Sequence, residues 1–224
     1  MSAEKVWQAE SKYVFQLSLR VAHWSIFFSI LALSVTGYWI GSGDLPAGPG
    51  GVFQMAWVRY VHLISGWILL SALLLRIYLA FGGNEYASWR EFIPTRKEHL
   101  REVADVLRYY TFLKAKYPHM SYSHNRVASL TYLVVYALLG FMVVSGLALH
   151  GQAFSIGWQS FFTWPLALVS GPTLRLMHHV GMWLIWGFAV HHTASAVLVD
   201  RETRGGLMGG IFSGWKSIPK QVKP

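Results

Sequence analysis

Apolar residues gather in four stretches, at roughly 21–41, 58–81, 127–149 and 175–199. Each is near the ~20 residues that carry a helix across about 30 Å of hydrocarbon. The pattern therefore predicts four transmembrane helices. A weaker apolar stretch, Phe154–Val169, contains Gly157 and Pro165 and follows the break at His150-Gly151; it reads as an interfacial loop and not as a fifth span. Between the second and third spans, roughly 82–126, the chain turns polar. There Leu100, Val103, Val106 and Leu107 recur at helical spacing behind Pro94-Thr95-Arg96-Lys97-Glu98. Thr95 and Glu98 fit a capping box, which predicts a short amphipathic helix on the membrane surface.

The 19 Lys and Arg residues fix the expected orientation. Three lie at or before Arg20, nine between Arg76 and Arg126 and five after the fourth span, leaving Arg59 and Arg175 at the opposite ends. Basic residues stay on the cytoplasmic side. The expectation is an all-α membrane protein, a four-transmembrane-helix bundle with both termini and the central loop cytoplasmic, forming one domain over residues 1–224. The loops Gly41–Gly51 and Gly151–Thr173 then face outward. Glu4 and Glu10 precede the first span, and no short apolar core leads to a small-residue cleavage site, so the start does not read as a removable signal peptide.

Composition sharpens this picture. The chain is 54% hydrophobic and 13% charged, with a mean hydropathy of +0.36, too apolar for a soluble domain of 224 residues. Its net charge of +9 then points to anionic lipid at the bilayer surface and not to nucleic acid. There is no cysteine, which excludes Cys-ligated iron-sulfur clusters, covalent c-type haem attachment and disulfides.

The candidate chemistry lies in the histidines. His23, His62, His178, His179, His191 and His192 all fall within predicted spans. An ionisable group there is costly and marks function, and neutral imidazole is a standard axial ligand of haem iron. The competing reading for any one of them is a histidine hydrogen-bonded between helices. At about 100° and 1.5 Å per residue, 14 positions return to within about 40° of the same face after roughly 21 Å, whereas 13 or 12 miss by about 120° to 140°. Only His178 and His192 are 14 apart. Helix direction then pairs His62 with His178 for an outer haem and His23 with His192 for an inner one, two haems b in all.

Arg20, Arg59 and Arg175 each precede a proposed ligand by three residues. That is one turn towards the membrane surface, where arginine could neutralise haem propionates; simple snorkelling at helix ends is the alternative. Gly66, Gly181 and Gly187 fall near the ligands, where a flat macrocycle needs missing side chains or where helices pack closely. No repeat of 20 to 50 residues is present, but Val35-Thr36-Gly37 has a short echo in Val144-Ser145-Gly146.

These residues resemble the b-type cytochrome subunit of membrane-bound nickel-iron hydrogenases, related to the gamma-subunit type of dihaem cytochrome b in formate dehydrogenases. The likeness runs nearly end to end. It is carried by Arg20-Val21-Ala22-His23-Trp24 with Thr36-Gly37-Tyr38, by Trp57-Val58-Arg59-Tyr60-Val61-His62 with Arg76-Ile77-Tyr78, and by Gly83-Asn84-Glu85-Tyr86-Ala87-Ser88-Trp89-Arg90-Glu91. It continues in His178-His179-Val180-Gly181-Met182-Trp183, His192, Asp200-Arg201-Glu202 and Ser213-Gly214-Trp215. The family's ligand histidines fall on His23, His62, His178 and His192. Two positions depart from its pattern: His124-Asn125-Arg126 stands where the family has His-Asn-Pro, and Ala194 where it has an aromatic residue.

The resemblance implies hydrogenase small and large subunits as partners on the periplasmic side of the bacterial inner membrane. Together with the helices and histidines it implies electron flow through haem to a membrane quinone, with His124 and Asn125 as a possible quinone site or, alternatively, a cap on the third helix. With no iron-sulfur ligands and no hydrogen-activating metal site, the chain reads as an electron-transfer subunit. Two rivals remain at this stage: the same fold serving a formate dehydrogenase or thiosulfate-type reductase, and a haem-free anchor or transporter with proton-relaying histidines.

Overall fold

The structure, a computed structural model, describes residues 9–43, 51–91, 104, 108, 126–154, 157–203 and 205–219. Strand β1 (Ala9–Tyr13) leads into helix α1 (Leu17–Ser42), followed by α2 (Gly51–Gly82) and a single 3-10 turn at Trp89–Glu91. Helix α3 (Arg126–Ala153), a 3-10 segment (Gly157–Ala167), α4 (Gly171–Thr203), the short α5 (Leu207–Ser213) and strand β2 (Trp215–Pro219) complete the order.

The four long helices have the length and composition of membrane spans, with mean hydropathies between 1.4 and 2.2. They run 26, 32, 28 and 33 residues, about 39 to 50 Å at 1.5 Å per residue, so they extend past the hydrocarbon at their ends. The apolar stretches in the sequence end sooner because hydropathy falls where polar side chains reach the headgroups. The backbone ladder continues there all the same. The chain is a multi-pass membrane protein of the all-α type, with one small strand pair among the described residues.

Phe154–Val169, expected as a loop, is instead largely a 3-10 segment, and it is not among the spans. The Trp158 ring lies 6.1 Å from that of Trp67 on α2, tilted by 50°. At the end of α3 a Cβ on Gly151 would meet the Gln159 carbonyl at 2.7 Å, so glycine allows the close return. The capping box at Thr95 and Glu98, and the rest of the expected surface helix apart from two isolated positions, lie outside the described residues.

The described residues fall into two units, one made of those within 1–20, 78–133 and 190–224, the other of those within 21–77 and 134–189. In the second, Leu69, Leu73, Val135, Leu139 and Ile185 form a buried apolar cluster, edged by Ile26, Leu33 and Phe188. Large apolar side chains such as Phe28, Ile68 and Leu184 are exposed, while Ser29, Ser34, Thr36, Ser65 and Ser145 are buried. This inversion of soluble packing is expected where the solvent is lipid: small hydroxylated residues let helices approach, and polar groups must find partners inside. Arg76 is also buried, with its guanidinium 5.7 Å from the Tyr136 ring.

The first unit contains a clasp. β1 and β2 pair antiparallel with Tyr13 opposite Trp215, and those rings meet edge-on at 5.4 Å. The Gly214 carbonyl accepts from the amides of Val14 and Phe15 at 2.9 and 3.0 Å, with Gly214 itself at φ 91°. Asn84 Nδ2 donates to the Val14 carbonyl at 2.8 Å, and Asp200 accepts from the Leu207 amide. Burial pushes Lys216 below its ordinary pKa, with Asp200 opposing.

Candidate functional site

Two histidines of the second unit share a construction. His62 lies on α2, and its Nδ1 is 2.8 Å from Thr36 Oγ1 on α1. His178 lies on α4, with Nδ1 2.7 Å from Ser145 Oγ on α3. Each hydroxyl also faces a carbonyl one turn back in its own helix: Thr36 Oγ1 is 2.6 Å from the Ala32 oxygen, and Ser145 Oγ is 2.7 Å from that of Phe141.

A hydroxyl has one hydrogen, and a carbonyl can only accept. Thr36 and Ser145 therefore donate to the carbonyls and accept from the imidazoles. This places a proton on Nδ1 of both His62 and His178 and leaves each Nε2 with a free lone pair. It is the tautomer a metal-binding histidine needs, with its second ring nitrogen held by an acceptor.

Space is provided in the same way on both sides. A Cβ on Gly37 would lie 3.2 Å from His62 Cε1, and one on Gly146 would lie 3.3 Å from His178 Cε1. Each glycine directly follows the hydroxyl residue, so the echo between Val35-Thr36-Gly37 and Val144-Ser145-Gly146 marks two copies of one device.

The other expected residues fall as follows. His179, next to His178, turns to a different neighbour: a Cβ on Gly41 would lie 3.1 Å from its Cε1. His191 is exposed, with Nε2 3.4 Å from Ser195 Oγ on its own helix. His192 Nδ1 is 3.5 Å from the Tyr132 hydroxyl in the first unit, and His23, in the second, meets Trp24 edge-on at 5.3 Å. Gly66 has open space where a Cβ would point, as does Gly187, whereas Gly181 is filled by the Met142 side chain and so serves helix packing. Arg20 donates through Nη1 to the Phe212 carbonyl, while Arg59 and Arg175 are exposed. His150 is half-buried, with its ring 5.0 Å from that of Phe154 and tilted by 41°. His124 and Asn125 lie outside the described residues. Among the described residues, no three His, Asp or Glu side chains cluster as a metal-ion site.

The sequence profile of the family described as prokaryotic cytochrome b561 matches residues 14–214. The chain belongs to this family. A Rhizobium leguminosarum bv. viciae protein named "Probable Ni/Fe-hydrogenase B-type cytochrome subunit" is 35% identical over 223 residues, covering 94% of this chain and 91% of the relative. The Cupriavidus necator protein of the same name is 30% identical, covering 93% and 88%. An Escherichia coli K12 protein named "Probable Ni/Fe-hydrogenase 1 B-type cytochrome subunit" is 30% identical, covering 92% and 91%.

As a b561-family cytochrome the chain carries haem b and takes part in electron transfer. The donor set fits that group. His62 and His178 present neutral Nε2 atoms from two helices, with their Nδ1 atoms held and with glycine where a Cβ would crowd the rings. When bound, haem b supplies a one-electron iron couple. What the chain itself does is hold two half-buried imidazoles in one tautomer against the buried hydroxyls of Thr36 and Ser145.

Proposed function

We propose that this b561-type cytochrome is the membrane electron carrier of a nickel-iron hydrogenase, taking electrons from the hydrogenase small and large subunits on the periplasmic face and delivering them to membrane quinone. The matched backing of His62 and His178 carries the reading: a proton relay has no need of two imidazoles locked in the same tautomer with Nε2 left open, whereas a bis-histidine haem does. The partner follows from the names of relatives that align over about nine-tenths of both chains.

In this reading the whole chain is one cytochrome domain of the bacterial inner membrane, with its termini cytoplasmic, a placement supported by the distribution of Lys and Arg. His62 and His178 serve the outer haem. His192, 14 positions beyond His178, and His23 serve a second, inner one. Arg20, Arg59 and Arg175 stand one turn from ligands, where propionates emerge, and Arg20 keeps four further N–H donors beyond its bond to Phe212. His124 and Asn125 supply polar groups for quinone near the inner haem.

The test uses membranes containing the chain with its partner. Molecular hydrogen should reduce the b-haem absorption bands and added quinone should reoxidise them. Reduction by formate and not by hydrogen would replace the hydrogenase with a formate dehydrogenase, and membranes without any b-haem spectrum would end the reading. In sealed vesicles, electron movement inward should build a membrane potential, each charge doing about 2.3 kcal/mol of work per 100 mV. Quinone reduction without a potential would place the quinone site at the outer haem and remove His124 and Asn125.

A further inference from the structure

We infer that Thr36 and Ser145 are positioning residues that set the redox potential of the haem held by His62 and His178. The inference rests on the assignment of those two histidines as axial ligands and goes beyond it: it concerns how strongly they bind the oxidised iron.

The geometry gives each ligand an unbroken chain of hydrogen bonds. His62 Nδ1–H donates to Thr36 Oγ1 at 2.8 Å, and Thr36 donates in turn to the Ala32 carbonyl at 2.6 Å. On the other side His178 Nδ1–H donates to Ser145 Oγ at 2.7 Å, and Ser145 to the Phe141 carbonyl at 2.7 Å. Chains of this kind polarise each successive bond, most of all in a low-dielectric interior. An acceptor at Nδ1–H draws the proton away from the ring and makes Nε2 a stronger donor. A stronger donor favours ferric over ferrous iron, so both hydroxyls hold the potential down.

Burial makes the effect durable. Ser145 is 1% exposed and Thr36 7%, so water does not compete for the imidazole proton. Both hydroxyls are anchored by their own helices, so the acceptor stays in place when the iron changes charge. His192 is backed differently, by the Tyr132 hydroxyl at 3.5 Å, a longer contact than either of these.

The test is an optical redox titration of b-haem in membranes holding the full chain, for wild type, Thr36→Val, Ser145→Ala, the double variant and Thr36→Ser. Removing one hydroxyl should shift the reduced-to-oxidised ratio at fixed ambient potential about tenfold towards reduced, which for a one-electron couple is about 59 mV upward. The double variant should show the two shifts summed on one component of the titration, since both ligands hold one iron. Thr36→Ser should titrate like wild type. Loss of haem from Thr36→Val with retention in Thr36→Ser also supports the inference, because the Leu33 carbonyl, the other acceptor beside the His62 ring, would then not by itself hold the tautomer that binds iron. An unchanged potential in haem-replete Thr36→Val and Ser145→Ala overturns it, as does equal haem loss in Thr36→Val and Thr36→Ser. His62→Ala with undiminished haem would instead overturn the ligand assignment beneath it.

Discussion

Gly37 offers a graded test of the site because the space beside it is measurable. An added Cβ would lie 3.2 Å from His62 Cε1, short of the ~3.5–4.0 Å of a relaxed carbon contact. The imidazole would have to move by a few tenths of an ångström. Its Nδ1 is already bonded at 2.8 Å to Thr36, one residue before Gly37 on the same helix, so the ring has little freedom to move. Overpacking of this sort costs about 1–3 kcal/mol, while alanine in place of glycine within a helix returns about 1 kcal/mol. Gly37→Ala should therefore be mildly impaired. Gly37→Val adds two more methyl groups than alanine does and forgoes most of the helix-propensity gain, so it should lose several-fold more haem. Gly140 supplies the control: it also sits within a long helix, α3, but nothing lies within 4 Å of an added Cβ. Gly140→Ala should hold haem as well as wild type and withstand heating slightly better. The assay is pyridine haemochrome per mole of chain, followed by thermal loss of the Soret band. If Gly37→Val retains haem as fully as Gly140→Ala, the ring beside Gly37 is not part of a haem site.

Two further predictions concern the clasp. At φ 91°, and with Tyr13 and the Phe15 carbonyl against it, Gly214 has no room for a side chain; Gly214→Ala should cost at least about 1–2 kcal/mol, seen as faster amide exchange in β1 and β2, and unchanged exchange would show that the turn tolerates a Cβ. Lys12 and Glu85 pair at 3.4 Å. Hydrogen bonding to Tyr86, and then between the pair, raises Lys12 above its ordinary 10.5 and lowers Glu85 below its ordinary 4.5. Their contribution is thus complete between those values. It fades as pH falls through the lowered value of Glu85 or rises through the raised value of Lys12. Both groups are exposed, so the effect should be small and abolished by salt. Amide exchange in β1, corrected for its intrinsic pH dependence, should quicken below pH 4.5 in the wild type and not in Lys12→Met; parallel profiles would refute the pairing.

The four spans were legible because a helix crossing lipid must be apolar over a fixed length, and the 14-residue spacing of His178 and His192 followed from helical pitch alone. Hydropathy could not mark the ends of α2 and α4, which run into polar residues. The strands were not legible at all: Ala9–Tyr13 and Trp215–Pro219 are short, lack alternation and are about 200 residues apart in the chain, so only the folded ends bring them together. Thr36 and Ser145 left a trace as a three-residue echo. Their meaning depends on which histidine each meets across a helix interface, and helical spacing within one segment does not encode that. Gly181 illustrates the converse: three residues from a ligand, it suited a macrocycle equally well until Met142 was seen to fill the space.

The assignment of His62 and His178 as ligands of one haem is decided by the haem content of single histidine variants, with His62→Ala and His178→Ala set against His179→Ala and His191→Ala and each measured by pyridine haemochrome per mole of chain in purified membranes. His62→Ala and His178→Ala should lose the same haem, while His179→Ala and His191→Ala should keep the wild-type content. Equal loss from His179→Ala or His191→Ala, or full retention in His62→Ala and His178→Ala, would contradict that assignment.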